Sequence, residues 1–343
     1  MPFNIVGVAR ILLTLRTLSE PSLRITFFAS NDLQNRLSQV NVKQDWNLGM
    51  TPAEEVQDRI KMSDGFGLFY RCWKTAGDVQ RVVVCVHGLG MNSEFFGNLG
   101  QALTEDGIEV YALDLRGFGN SVEIGLERGD TSNFKGHLQD LNEAVAFIHQ
   151  KYPEKHVFML GHSLGCCYAL WYAANHPDSL NGLVLAAPPI QYAKKASKIL
   201  VIKGLLFLLF APKKKLYANQ TMPESLRKSE EYKLLNENPL NAHGQSARYI
   251  IRVVGPLQNG ALKNASRTRT PTLIIQGEAD THVLPKGAKK LLECLATEDK
   301  TLKSFADADH RFYHLIFTKS KFQDDPAKRK QVTDAVSDWI KNH

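Results

Sequence analysis

The sequence predicts an α/β fold in which a mostly parallel sheet is covered by helices on both faces. Short apolar runs rich in β-branched residues alternate with stretches of helical periodicity. These runs are apolar on both faces, as expected of strands buried on both sides of a parallel sheet. Six such runs occur, at residues 81–86, 108–113, 156–160, 183–187, 272–276 and 301–305.

An antiparallel strand pair is predicted ahead of these runs. The stretches 56–62 (VQDRIKM) and 66–73 (FGLFYRCW) suggest the two strands, and Ser63, Asp64 and Gly65 between them are typical turn residues. This pair makes the run at 183–187 the sixth strand of the chain.

The helices are predicted from apolar periodicity and from their end signals. Thr131, Ser132 and Asn133 are candidates for capping the second helix, and Pro285 suits the start of the fourth. The predicted helices cover about residues 93–105, 133–151, 163–176, 286–296 and 326–341.

The alternation of strands and helices is interrupted once, between the strands ending near residue 188 and beginning at residue 272. This interval is too long for an ordinary strand-to-helix connection and has helical character. We therefore predict a helical lid at residues 191–269, inserted after the sixth strand, and a core formed by residues 51–190 and 270–343. Ligands of parallel sheets bind beyond the carboxyl ends of the strands, so the lid would cover the site.

The N-terminal segment, residues 1–50, has no assigned role. Residues 3–18 are apolar but contain Arg10 and Arg16, so they do not form an uninterrupted membrane span. They predict an imperfect amphipathic helix. A helix packed on the protein body, a surface anchor and an organelle presequence all stay open as interpretations.

Composition excludes several classes of protein. The chain has 343 residues, 43% of them hydrophobic, and a formal net charge of +7. The lysines gather around apolar stretches rather than among aromatic residues, which favours contact with a membrane surface over nucleic acid. The five cysteines form neither a disulfide framework nor a metal-binding spacing, so we expect no metal or cofactor and a reducing, cytoplasmic compartment.

The strand at 156–160 leads into Gly161-His162-Ser163-Leu164-Gly165, and a helix follows. A G-x-S-x-G string is informative at such a strand-to-helix turn, because there the glycines allow a strained backbone that lifts the serine hydroxyl above the sheet. Ser163 is therefore the candidate nucleophile. We expect His162 to be a packed neighbour rather than a base.

A serine nucleophile needs a general base and a carboxylate to orient that base. His310 follows the last strand and Asp280 follows the preceding one, so both lie at the same sheet edge as Ser163. His314 is the alternative base and Glu278 the alternative acid. The remaining candidates, His137, His149, His156, His176, His243 and His343, are expected to be solvated.

The oxyanion of acyl transfer needs two backbone donors. The N–H of Leu164 opens the helix after Ser163, and His87-Gly88-Leu89-Gly90 follows the strand at 81–86. We predict the N–H groups of Leu89 and Leu164 as the oxyanion hole, with His87 shaping the loop.

These motifs give the chain its resemblance to a known family. The HGLG, DLRGFGNS, GHSLG and QGEAD stretches and the late His310 occur in the order of the α/β-hydrolase superfamily, and residues 66–342 resemble its monoacylglycerol lipase and lysophospholipase branch. The resemblance implies the α/β-hydrolase fold, the triad Ser163, Asp280 and His310, and hydrolysis of single-chain lipid esters through an acyl-enzyme. Activity should rise with pH as His310 loses its proton near neutrality.

Other functions stay open for this scaffold. A C–C hydrolase, a thioesterase or a peptidase would use the same triad, and a non-catalytic binding protein would not use it. The lid segment 199–210 is apolar around the helix and is followed by three lysines. It predicts either a helix buried between lid and sheet, or a helix that enters lipid and gives the protein peripheral membrane contact.

Overall fold

The computed structural model describes residues 53–192, 198–216, 237–310, 312 and 326–343. The amphipathic helix predicted at residues 3–18, His314 and parts of the predicted lid lie outside these residues. All five cysteines are described, and all are free.

The central sheet has eight strands, in the order β1-β2-β4-β3-β5-β6-β9-β10. The neighbours from β4 to β10 pair in parallel, whereas β2 pairs antiparallel with both β1 and β4. The mostly parallel sheet is confirmed. Its strands are β1 Glu54–Lys61, β2 Gly67–Lys74, β3 Arg81–Val86, β4 Ile108–Leu113, β5 His156–His162, β6 Gly182–Ala186, β9 Thr272–Gly277 and β10 Lys300–Phe305.

Seven helices of at least eight residues occur in the described part of the chain. They are α1 Gly97–Thr104, α2 Gly136–Lys151, α3 Leu164–Asn175, α4 Lys198–Phe210, α5 Gly255–Ala265, α6 Pro285–Cys294 and α7 Pro326–Lys341. The side-chain oxygen of Asn133 accepts a hydrogen bond of 2.9 Å from Gly136 N, the first residue of α2. Pro285 begins α6, as its fixed φ and missing N–H favour.

The helices cover both faces of the sheet because alternate strand residues point to opposite sides. On one face, Val82, Val84 and Val86 of β3 pack in a cluster that includes residues of α2, α3, α5 and α6. On the other face, Val83 and Cys85 pack in a cluster with residues of α1 and α7. Both faces of the sheet are therefore apolar, as the uninterrupted runs predict.

The segment between β6 and β9 begins with α4 and returns through a short ladder of Lys215–Leu216 (β7) with Gln245–Ser246 (β8). A short helix over Ala247–Tyr249 and a π-helical turn over Ile250–Val254 lead into α5. Helix α5 packs on α3, so the C-terminal part of the segment joins the helical layer of the core.

One face of α4 is open to solvent. At Gly204 an added Cβ would contact Leu216 and Ile251, so this side of the helix packs on the rest of the segment. On the opposite side six large apolar residues are exposed. These are Ile199 (78% exposed), Ile202 (57%), Leu205 (49%), Leu206 (49%), Leu209 (73%) and Phe210 (82%). The interpretation of α4 as a fully buried helix is therefore wrong. No helix among the described residues is long and apolar enough to cross a bilayer.

Candidate active site

Ser163 lies at the sharp turn between β5 and α3. Its backbone has φ 51° and ψ −118°, a left-handed conformation that is unfavourable for a residue with a side chain. The turn is held by hydrogen bonds of 2.9 Å from Ser163 N to Ala186 O and from Cys166 N to Ser163 O. The strained turn predicted from G-x-S-x-G is present.

The two glycines of the motif are required by close packing. A Cβ at Gly161 would lie 2.4 Å from Gly165 O, and a Cβ at Gly165 would lie 2.0 Å from Val86 O. Any side chain at either position would force α3 away from the strands. The glycines therefore let the first turn of α3 sit directly on β3 and β5.

Asp280 is buried in the loop after β9, and both oxygens of its carboxylate accept hydrogen bonds. Oδ1 accepts backbone N–H groups from His282 at 2.7 Å and Val283 at 2.9 Å. Oδ2 lies 2.7 Å from His310 Nδ1. Burial alone would raise the pKa of Asp280, but the hydrogen bond and charge of His310 and the two backbone donors outweigh it and hold this pKa below its usual range. Asp280 therefore stays ionised and fixes the proton of neutral His310 on Nδ1, which leaves Nε2 free to accept another.

The loop that carries His310 meets the serine turn through His162. His162 Nε2 donates to the backbone oxygen of His310 at 3.0 Å, and the two ring centroids are 5.0 Å apart. Burial and the nearby charge of His310 lower the pKa of His162 to about 3. His162 is thus a neutral packed neighbour of the site, and it joins the serine turn to the loop of His310.

His282 is a site residue that sequence reasoning missed. Its ring stacks on that of His310, with centroids 5.3 Å apart and planes 26° apart. It lies only two residues after Asp280, and this closeness in sequence was the available signal. Glu278, the alternative acid, is exposed.

The prediction that His137 is solvated is wrong. Its ring is fully buried and lies 3.2 Å from the hydroxyl of Tyr168 and against the ring of Tyr249. Burial lowers the pKa of His137 to about 3, with a smaller contribution from the charge of Arg116. Helix α2 places this polar residue on its core face, where two tyrosines surround it.

The loop after β3 lies directly against the serine. A Cβ at Gly88 would lie 3.2 Å from Ser163 Cβ. His87 shapes this loop, since its Nδ1 donates to Gly88 O at 2.8 Å and its Nε2 accepts from Leu115 N at 3.1 Å. Leu89 follows Gly88 in this loop.

Leu164 is the first residue of α3, so its N–H has no intrahelical acceptor. This donor and the positive end of the helix dipole lie beside the serine. The predicted oxyanion donors Leu89 and Leu164 thus belong to the two segments that flank Ser163.

The Asn92 side chain further anchors the loop after β3. It donates to Asn241 Oδ1 at 2.9 Å and accepts from Glu94 N at 2.9 Å. The neighbouring Ala242 N donates to Gly90 O at 2.9 Å. The segment between β6 and β9 is thereby tied to the loop beside Ser163.

This arrangement has the parts that acyl transfer needs. Adjacent loops carry a hydroxyl at a strained turn, an imidazole oriented by an ionised carboxylate, and backbone donors at the start of a helix. In the described part of the chain, no three His, Cys, Asp or Glu side chains are arranged to hold a metal ion.

Known proteins are similar to this chain over most of its length. The profile of the serine aminopeptidase S33 family matches residues 77–317. The monoglyceride lipase of Rattus norvegicus is 30% identical over 280 residues, which cover 81% of this chain and 88% of that protein. The monoacylglycerol lipase of Mycolicibacterium smegmatis is 26% identical over 279 residues, which cover 81% of this chain and 94% of that protein. The crystal structure of the monoacylglycerol lipase of Paleococcus ferrophilus matches with a TM-score of 0.65 and 27% identity, over 80% of this chain and 98% of that one.

Proposed function

This chain belongs to the serine aminopeptidase S33 family of α/β-hydrolases, and on that basis we propose that it is a serine hydrolase that cleaves the carboxylic ester bond of monoacylglycerols. The observation that carries the proposal is the 2.7 Å contact between His310 Nδ1 and Asp280 Oδ2. The backbone oxygen of His310 also accepts a hydrogen bond from His162, the residue before Ser163. Monoglyceride and monoacylglycerol lipases among the relatives of this chain support the substrate class.

Acylation transfers one proton and exchanges one bond at the ester carbon. The Oγ of Ser163 attacks the carbonyl carbon as its proton passes to Nε2 of His310, and the carbonyl oxygen becomes an oxyanion. When the oxyanion collapses, the bond to the glycerol oxygen breaks, and His310 gives that oxygen its proton. The products of this half-reaction are glycerol and an acyl ester of Ser163.

Deacylation repeats the same transfers with water. Water attacks the acyl carbon while His310 takes one of its protons, and collapse returns that proton to the Oγ of Ser163. The fatty acid leaves and the enzyme is regenerated. Asp280, held ionised by its three hydrogen bonds, stabilises the imidazolium in both halves.

We assign the oxyanion hole to the N–H groups of Leu89 and Leu164. Support comes from Gly88, where an added Cβ would lie 3.2 Å from Ser163 Cβ, and from the position of Leu164 at the start of α3. Each such donor contributes roughly 3–4 kcal/mol to the stability of the transition state.

We propose that α4, in the predicted lid at residues 191–269, brings the enzyme to lipid surfaces. The exposed apolar face of α4 supports this proposal, because surfaces of this kind mark contact sites for lipid or protein. Lys213 and Lys214 are exposed just beyond α4, where each would contribute about 1 kcal/mol of attraction to anionic headgroups. The helix would lie in the interface rather than cross it.

A substrate panel tests the proposed reaction. The purified full chain is assayed on a monoacylglycerol, a lysophospholipid, an acyl thioester, a peptide amide, and p-nitrophenyl esters of short and long acyl chains. We expect the monoacylglycerol to have the highest kcat/KM and long-chain p-nitrophenyl esters to exceed short ones. A higher kcat/KM on the thioester or the peptide, with indifference to acyl length, would refute the assignment.

A further inference from the structure

Two other imidazoles lie close to the ring of His310. The His282 ring stacks on it nearly parallel, at 5.3 Å and 26°, and the His162 ring lies at 5.0 Å and 57°. Of the two, only His282 presents a nearly parallel face. The backbone N–H of His282 also donates to Asp280 Oδ1 at 2.7 Å, so one residue contacts both proposed partners of Ser163.

We infer that His282 is a positioning residue for the hydrolytic reaction, whose uncharged ring holds the His310 ring in place and stabilises the positive charge that His310 acquires during each proton transfer. This inference rests on the proposed function, since it assigns a role through His310. An aromatic face attracts a cation that lies against it, and it does so most strongly where water is excluded. The charge on His310 exists only in the intermediates and transition states, so this attraction would accelerate the reaction rather than tighten substrate binding.

The inference requires that His282 itself stays neutral. Burial, followed by the charge of His310, lowers the pKa of His282 to about 4, against a smaller opposing effect of Asp280. Two like charges on stacked rings would repel each other, so a neutral His282 is the form that favours a protonated His310.

Within the described residues, the charges that act on the pKa of His282 are those of His310 and Asp280. The loop that carries His282 lies against the segment that follows β6. Tyr192 forms a β-bridge with Val283, and Leu284 N donates a hydrogen bond to Gln191 O. The phenol of Tyr192 is neutral near pH 7, because the ordinary pKa of tyrosine is about 10. Among the described residues, the other titratable groups beside the pair of rings are Asp280, which is ionised, and His162, which is neutral.

Three variants of His282 distinguish the effect of its aromatic face from that of its volume. His282→Leu keeps a comparable volume without a π face, His282→Phe keeps the face without titration, and His282→Lys places a charge beside His310. The matched control is His176→Leu, because the His176 ring also stacks on an aromatic ring, that of Tyr172, at 4.6 Å and 24°, at the C-terminal end of α3.

The readouts are kcat, KM and the pH dependence of kcat/KM on a soluble p-nitrophenyl ester. Active sites are counted by exhaustive labelling with a fluorophosphonate, so that incomplete folding of a variant does not lower its kcat. We expect His282→Leu to lower kcat roughly five- to thirtyfold with little change in KM, and His282→Phe to stay within about threefold of the unaltered enzyme. His282→Lys should move the lower midpoint of the pH profile to more acidic values by about one unit, and added salt should reduce that shift.

Equal kcat values for His282→Leu and His282→Phe, or an unmoved pH midpoint in His282→Lys, would overturn the inference. His176→Leu should leave kcat and the pH midpoint unchanged. If the unaltered chain neither hydrolyses esters nor reacts with the fluorophosphonate, the proposed function itself fails. If the unaltered chain does both and the His282 variants behave like it, only the role of His282 is lost.

Discussion

At the scale of single residues, the proposed reaction depends on Ser163, which lies in a backbone turn with φ 51°. A turn in this conformation is maintained by the surrounding structure rather than by the serine side chain. The geometry of the site should therefore survive removal of the hydroxyl, and structural and chemical roles can be separated by substitution.

Ser163→Ala should lower kcat by roughly 10⁴–10⁶ while leaving the protein folded. The nucleophile is lost, but the turn, both glycines and the Asp280–His310 contact remain. Ester turnover and urea unfolding measure the two properties. Ser179→Ala is the control, since Ser179 contacts Tyr172 at the far end of α3 and its removal should not reduce turnover. Near-normal turnover in Ser163→Ala would end the assignment.

Asp280→Asn should lower kcat by about 10⁴, because an amide nitrogen facing His310 Nδ1 favours the wrong tautomer of the base. The carboxylate is ionised well below neutrality, so in the unaltered enzyme its own protonation should not shape activity between pH 5 and 8. His162 and His282, with pKa values of about 3 and 4, are also uncharged there. The pH profile of kcat/KM should therefore have one rising limb for one proton.

The matched control for Asp280→Asn is Glu278→Gln, which alters an exposed carboxylate two residues earlier. Glu278→Gln should retain more than half of the kcat of the unaltered enzyme. If it were instead the more damaging change, the acid of the triad would have to be reassigned to Glu278.

The sequence predicts that Ser163, Asp280 and His310 lie at one edge of the sheet, because each follows a strand and parallel strands end at the same edge. The structure brings Asp280 and His310 within 2.7 Å of each other. Sequence reasoning could not find the stacking of His282 on His310, since ring contacts depend on how two loops fold over each other. His137 was misplaced for a related reason. It shares one face of α2 with Leu141, Ala144 and Ile148, a pattern that indicated burial, but only the tertiary structure shows that Tyr168 and Tyr249 surround its ring.

At the scale of elements, the exposed apolar face of α4 leads us to predict binding to lipid vesicles. Replacing Leu209 and Phe210 together by glutamate should lower binding to vesicles of phosphatidylcholine and phosphatidylserine by at least tenfold, because burial of each side chain contributes about 2 kcal/mol. These residues are 73% and 82% exposed, so the fold should be retained. Sedimentation with vesicles measures binding, and turnover of a soluble ester should be unchanged.

A change of charge alone must be excluded in that experiment. The control carries Gln57→Glu on β1 and Asn175→Glu at the end of α3, both exposed and away from α4. It adds the same two negative charges and should retain most of the binding. Equal loss in both proteins would attribute the effect to net charge rather than to insertion of the apolar face.

The regular elements could be predicted closely because their periodicity and end signals are local. The strand β3 begins and ends at the predicted residues, and α7 at Pro326–Lys341 matches the predicted range. The segment between β6 and β9 could not be resolved in the same way. Its short ladder of β7 with β8 and its π-helical turn are stabilised by contacts with distant residues, such as the pair of Arg248 with Asp130.

At the scale of the whole molecule, strand order follows from the two-sided burial of the sheet. Because β3, β5, β6 and β9 are each buried on both faces, they belong in the middle, whereas β10 has exposed positions and lies at an edge. The sequence patterns indicated a two-sided sheet. They did not indicate that β4 lies between β2 and β3, because that order depends on a crossover connection.

The buried histidines also make the whole molecule sensitive to acid. His137 and His162 have pKa values of about 3 in the folded chain, below the ordinary value of 6.5, because burial disfavours their charged forms. As the pH falls below 6.5, these residues bind protons only in the unfolded chain, so folding stability is lost progressively down to about pH 3. Each fully buried histidine then costs about 2 kcal/mol of stability between pH 7 and pH 5.

His137→Phe isolates one of these contributions away from the serine turn. Urea unfolding at pH 7 and at pH 5 should show that the loss of stability on acidification is about 2 kcal/mol smaller in this variant, whatever its stability at pH 7. His156→Phe is the control, since His156 is exposed at the start of β5 and its replacement should leave the acid-induced loss unchanged. The same loss in His137→Phe and in the unaltered protein would mean that His137 is protonated in the folded state, and that the contacts of its ring with Tyr168 and Tyr249 rearrange to accommodate the charge.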